Sequence, residues 1–149
     1  MKKVMFVCTG NICRSAMAHG ILEKLAKDKK KDIQIYSCGT SAKTGDKATF
    51  SAIEVAKEYN VNIEMHKATN ILETNIEEMD YIFCATKNYK EYIMHLHPEV
   101  KNKIYTIKEF INNNLENVDI KDPWGYDIET YRKCCKEIFE YTEKIVDKI

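Results

Sequence analysis

Short apolar runs alternate with stretches of helical periodicity along the whole of this chain, and that alternation leaves few folds open. Val4-Met5-Phe6-Val7-Cys8, Ile33-Gln34-Ile35-Tyr36-Ser37-Cys38, Tyr81-Ile82-Phe83-Cys84-Ala85 and Ile104-Tyr105-Thr106-Ile107 each read as a buried strand. Between them, Arg14 to Lys29 carries Met17, Ile21, Leu22 and Leu25 on one face, and helical spacing returns at Ala48 to Tyr59 and at Tyr89 to Leu96. After Asp127, a candidate N-cap, Ile128, Tyr131, Cys135, Ile138, Thr142, Ile145 and Ile149 fall at helical spacing. Strands alternating with helices join as parallel βαβ units. The expected fold class is therefore α/β, a doubly wound, four-stranded parallel sheet flanked by helices on both faces, with its ligand site outside the carboxyl ends of the strands. With 149 residues and no internal repeat, low-complexity tract or linker, the chain is expected to form a single domain, 1–149.

Charge narrows the function. Lys plus Arg number 23 and Asp plus Glu also 23, so the formal net charge is zero. A chain so balanced has no broad cationic field for nucleic acid, and any anion must be held by a local device. The apolar run after Met1-Lys2-Lys3 is too short for a secretion signal or a membrane span, which points to a cytoplasmic protein with no membrane partner and six reduced thiols. Only Arg14 and Arg132 are arginine. Where so few are used, a need for a planar, bidentate fork is the first thing to test. His19, His66, His95 and His97 form no metal-binding spacing with the cysteines, and no metal is expected.

The most informative segment is Cys8-Thr9-Gly10-Asn11-Ile12-Cys13-Arg14-Ser15, which joins the first strand directly to the first helix. A loop of this kind aims backbone N–H groups at one point, with the positive end of a helix dipole behind them, and so makes an oxyanion cradle. Cys8 at its base shares that field with Arg14, and both favour thiolate over thiol. Arg14 can fold back to hold two oxygens of a phosphate while the N–H groups hold the rest. The bland alternative is a buried strand cysteine followed by an ordinary first-turn arginine. Context argues against it: the match sits at a strand-to-helix junction, with Gly10 for a tight turn and Ser15 placed to donate to the sulfur.

Val7 to Ser15 resembles the phosphate-binding loop of the low-molecular-weight protein tyrosine phosphatases. Ser37, His66-Lys67-Ala68, Asp122-Pro123 and the C-terminal helix follow in that family's order. The resemblance implies hydrolysis of phosphotyrosine in a phosphorylated protein through a cysteinyl-phosphate, without metal or cofactor. Cys8 would be the nucleophile and Arg14 the phosphate clamp, with Thr9, Gly10, Asn11, Ile12, Cys13 and Ser15 forming the loop around inorganic phosphate or a similar oxyanion. Expelling a phenolate calls for a general acid, and the family's acid is an Asp-Pro in the loop before the last helix, here Asp122. Asn11, Ser15, Ser37 and His66 resemble the polar network that stiffens the family's loop. Trp124 and Ile12 would line the substrate slot, and Cys13 would be a redox partner able to protect Cys8 as a disulfide. A monomer or weak dimer is expected.

Departures from the family keep rivals open. Ile12 is what tyrosine-directed members tend to have where protein arginine phosphatases tend to have Thr. Gly45-Asp46-Lys47-Ala48-Thr49 and Asp122-Pro123-Trp124-Gly125, by contrast, look like the bacterial branch that includes the arginine phosphatases, so protein arginine phosphatase is the alternative. Thr40 to Gly45 has no aromatic where the family often has one. An arsenate reductase would need a cysteine where Glu91 stands, and a cysteine phosphocarrier would need neither Arg14 nor Asp122. Cys38 and Cys84 read as core residues, and Cys134-Cys135 carries no assigned function.

Overall fold

The computed structural model describes residues 1–114 and 116–149. Its elements are β1 (Lys2–Cys8), α1 (Arg14–Asp28), β2 (Ile33–Gly39), α2 (Phe50–Lys57), β3 (Tyr81–Cys84), α3 (Lys87–Leu96), β4 (Ile104–Thr106) and α4 (Ile128–Lys148), with short 3₁₀ turns at Ile71–Glu73, Ile76–Glu78 and Pro98–Lys103. The four strands form one sheet in the order β2-β1-β3-β4, and every pairing is parallel. The expected α/β class and strand count are thus found, with boundaries moved by one or two residues. The helix expected from Ala48 begins only at Phe50, because Thr49 is extended and its side chain caps the helix by accepting from Ala52 N–H at 3.3 Å.

Two apolar layers cover the sheet. On one face Val4, Phe6 and Phe83 pack with Met17, Ile21 and Leu22 of α1, Val55 of α2 and Ile138 and Ile145 of α4. On the other, Met5, Val7, Ile82 and Cys84 pack with Ile93 of α3 and with Ile71, Ile76 and Val100. Leu22, Ile138 and Ile93 are fully buried, and each such side chain contributes about 1.5–3 kcal/mol of transfer free energy. α4 begins at Asp127, whose carboxylate accepts from Thr130 N–H at 3.0 Å, as the sequence predicts. All six cysteines are free and buried, and Cys38 and Cys84 lie in the core as expected. Among the described residues no helix is long and apolar enough to cross a membrane.

The consequence for function is one of position. The chain winds to β2 on one side of β1 and to β3 on the other, so the crossovers diverge beside β1. Its carboxyl end, at Cys8, opens onto the crevice where parallel sheets of this kind hold their ligands.

Candidate active site

Cys8 ends β1 with its sulfur almost wholly buried, and the next residues turn back over it. The left-handed residue that makes this turn is Asn11, at φ 57°, whereas Gly10, expected to supply the tight turn, has no positive φ. An asparagine tolerates that region better than most side chains, and the loop secures it from both ends. Asn11 N–H donates to Cys8 Sγ at 3.3 Å, its Oδ1 accepts from Thr69 N–H at 2.9 Å, and its Nδ2 donates to Ser15 Oγ at 2.8 Å. Since Ser15 Oγ accepts from Asn11, its own hydrogen is free to point at Cys8 Sγ, 2.9 Å away. The start of α1 lies behind these donors, so the positive end of its dipole backs the loop.

Gly39 was not singled out in the sequence, yet the cradle depends on it. A Cβ there would collide with the Thr9 carbonyl oxygen and come within 2.9 Å of Asn11 N. The end of β2 can therefore lie against the loop, where Thr40 N–H donates to Cys8 O at 3.0 Å and Ser41 N–H to Thr9 O at 2.9 Å. A glycine closing a strand opposite a functional loop is the signal that would have found it.

Arg14 is 2% exposed. Its Nη1 donates to Ile120 O at 2.9 Å, and its Nη2 donates to Tyr89 Oη at 3.0 Å and to Thr9 Oγ1 at 3.4 Å. Its Nε is the only buried side-chain nitrogen or oxygen without a partner among the described residues. Asp122 Oδ2 lies 3.6 Å from Nη2, and Oδ1 accepts from Trp124 N–H at 3.1 Å, closing a turn around Pro123. The segment carrying this carboxylate is tied to β3, because Ile120 N–H donates to Ala85 O at 2.9 Å.

These groups face a cleft of about 320 Å³ with Cys8, Arg14 and the loop at its floor. Asp122 and Trp124 make one wall, and Ser41, Lys43 and Asp46 the other, so the aromatic missing from Thr40 to Gly45 is replaced by exposed polar and charged side chains. Trp124 is 63% exposed, a wall of the cleft and not part of the core. Ile12 contributes an apolar, half-exposed patch.

Of the expected network, Asn11, Ser15 and His66 reach the loop, and Ser37 does not. His66 Nε2 donates to Asn11 O at 2.6 Å, which fixes its tautomer, while Ser37 Oγ pairs at 2.7 Å with Nδ1 of His19, a residue left without a role in the sequence. Cys13 lies beneath the loop, 3.3 Å from Tyr131 Oη and 3.8 Å from Thr49 Oγ1, and burial pushes its thiol up. Burial likewise pushes Cys135 up to about 12 and raises Cys134, in keeping with inert core thiols. Among the described residues no three His, Cys, Asp or Glu side chains gather closely enough to hold a metal ion.

Residues 3–149 match the family model described as low molecular weight phosphotyrosine protein phosphatase. The chain is 31% identical over 147 residues to a protein-arginine-phosphatase of Geobacillus stearothermophilus, covering 99% of this chain and 95% of that one. It is also 31% identical over 135 residues to a putative low molecular weight protein-tyrosine-phosphatase of Klebsiella pneumoniae, covering 91% and 88%. Among solved structures, the low molecular weight protein tyrosine phosphatase from T. tengcongensis superimposes with a TM-score of 0.92 at 37% identity, over the full length of both chains. With the family model spanning nearly the whole sequence, this chain belongs to the low molecular weight phosphotyrosine protein phosphatase family.

Proposed function

We propose that this protein hydrolyses phosphotyrosine in phosphorylated proteins through a cysteinyl-phosphate on Cys8. The observation that carries the reading is the orphaned Arg14 Nε, a donor of a permanently charged group buried beside Cys8. Leaving a buried donor unmade costs about 1–3 kcal/mol, and more when it is charged. A phosphate oxygen in the cradle removes that cost, and the loop N–H groups hold the remaining oxygens.

In this reading the groups around the cleft divide the chemistry into two steps. The Cys8 thiolate attacks phosphorus as the bond to the tyrosine oxygen breaks, and Asp122 delivers a proton to that oxygen. With the phenol gone, Asp122 takes a proton from water, the water oxygen bonds to phosphorus, and the phosphorus–sulfur bond breaks to return the thiolate and free phosphate. Arg14 and the loop donors face the equatorial oxygens, whose charge shifts in both steps, and fixed donors of this kind act most strongly there. Cys13, buried under the loop, is the redox partner in this reading.

Phosphoarginine is the second reading, favoured by the cleft wall of Ser41, Lys43 and Asp46, which offers an aryl ring no apolar face, and by the arginine phosphatases among the relatives. Turnover of phosphotyrosine and phosphoarginine peptides by the wild type and by Ile12→Thr separates the two. The expected result is a higher kcat/KM on phosphotyrosine for the wild type, moved toward phosphoarginine by Ile12→Thr. A wild type that prefers phosphoarginine replaces the first reading with the second.

A further inference from the structure

We infer that Tyr89 is a positioning residue for Arg14: its phenol fixes the plane of the guanidinium, and so the direction in which the unpartnered Nε–H points. The inference rests on the reading of Arg14 as the phosphate clamp. A guanidinium is planar, so two contacts at its far nitrogens determine where the third nitrogen aims. Ile120 O supplies one, on Nη1 at 2.9 Å, and Tyr89 Oη supplies the other, on Nη2 at 3.0 Å.

Tyr89 suits this task in three ways. Its oxygen also bonds Thr9 Oγ1, so one phenol ties α3 both to the cradle loop and to the first residue of α1. Its ring lies under the guanidinium, with the centroid 5.4 Å from Arg14 Cζ, which adds a cation–π contact on the flat face. Above all, the phenol accepts a hydrogen bond without bringing a negative charge, so the charge of Arg14 stays available to the phosphate. Two other groups lie near Nη2: Thr9 Oγ1 at 3.4 Å, a longer contact that is itself tied to the Tyr89 phenol, and the Asp122 carboxylate at 3.6 Å, which trades a proton in each proposed step and so cannot serve as a constant anchor. Tyr89 is itself held in place, because its N–H donates to the Thr86 cap of α3 at 3.3 Å and the next residue, Lys90, pairs with Glu109 at 2.9 Å.

Tyr89→Phe keeps the ring and removes the oxygen. The expected result is a roughly tenfold fall in kcat/KM, carried mostly by kcat, as for loss of one hydrogen bond to a charged group that matters most in the transition state. In an Arg14→Lys background, which has no fork to orient, Tyr89→Phe should change turnover less than twofold. Arginine-labelled NMR gives an independent signature, since only Arg14 and Arg132 contribute signals. Slow rotation of the Arg14 guanidinium should become fast in Tyr89→Phe, with Arg132 as the unchanged reference. Losses that multiply in the double variant, or an Arg14 signal untouched by Tyr89→Phe, overturn the inference. If Tyr89→Phe unfolds, Tyr89→Leu carries the same cycle and the same NMR comparison. The two levels separate cleanly: a wild type inactive on both phosphopeptides defeats the phosphatase reading, whereas an active wild type silenced by Cys8→Ser but indifferent to Tyr89→Phe defeats only the role of Tyr89.

Discussion

Two cavities lie near the loop after β1, one floored by the loop itself and one lined by α1, β2 and the segment 62–69. In front is the cleft of about 320 Å³ over Cys8, and behind lies a larger hollow of about 390 Å³ lined by His19, Glu23, Ser37 and His66. The rear hollow is the roomier of the two and holds the two histidines, yet its polar groups already answer one another. His19 bonds Ser37 at 2.7 Å and faces Glu23 at 3.5 Å, His66 bonds the loop carbonyl of Asn11 at 2.6 Å, and the two rings meet edge-on at 6.1 Å. In front, Arg14 Nε has no partner. Unmet demand, and not volume, distinguishes a face built to take a ligand from one built to brace the loop.

The comparison breaks most sharply at Asp122. Replacing it by Asn keeps the shape of the front wall and removes the proton donor of the proposed mechanism, so kcat on a phosphotyrosine peptide should fall by roughly 10²- to 10⁴-fold. Inhibition by inorganic phosphate should persist, because the loop and Arg14 remain. Steady-state kinetics decide the matter, and a variant that turns over like the wild type removes Asp122 from the chemistry.

Next in size is the effect of Cys13, which lines the front cleft and packs against Tyr131. Peroxide converts the Cys8 thiolate to a sulfenic acid with release of water, and attack by the Cys13 thiol then gives a disulfide and a second water. A thiol reductant should recover most of the wild-type activity after such treatment, and roughly tenfold less in Cys13→Ser. Equal recovery in the two proteins would show that Cys8 is protected by something other than Cys13.

What the sequence disclosed follows the same division. The front was legible because its chemistry is concentrated in contiguous residues, Cys8 to Ser15, at a junction whose periodicity changes from strand to helix. Asp122 was legible only through resemblance, since an Asp-Pro by itself signals no more than a turn. Tyr89 and Gly39 were not legible. Tyr89 lies 75 residues from Arg14 and reads as an ordinary helix position, and the demand on Gly39 comes from the Thr9 carbonyl, which belongs to another strand's loop. The assignment of the tight turn to Gly10 instead of Asn11 has a related cause. Glycine announces conformational freedom, but Asn11 takes the left-handed conformation because its side chain is bonded to both Ser15 and Thr69. Ser37 was expected in the network around the loop, but its hydroxyl bonds His19 of α1, a residue the sequence left without a role.

The smallest expected effect tests whether the rear is a brace. Burial pushes His66 below the ordinary histidine value of 6.5, with His19 adding to the shift, while the bond to the Asn11 carbonyl and the charge of Glu23 oppose it. Between that lowered value and 6.5 the unfolded chain binds a proton that the folded chain refuses, so stability must fall as pH drops through this window and level off below it. One such group contributes at most about 1.4 kcal/mol per pH unit, which in a domain of this size is a few degrees in Tm. Thermal unfolding measured from about pH 7 down to about pH 5 should therefore show a shallower decline in His66→Gln than in the wild type. Parallel curves would mean that His66 titrates alike in both states, and the rear of the loop would then owe its rigidity to Asn11 and Ser15 alone.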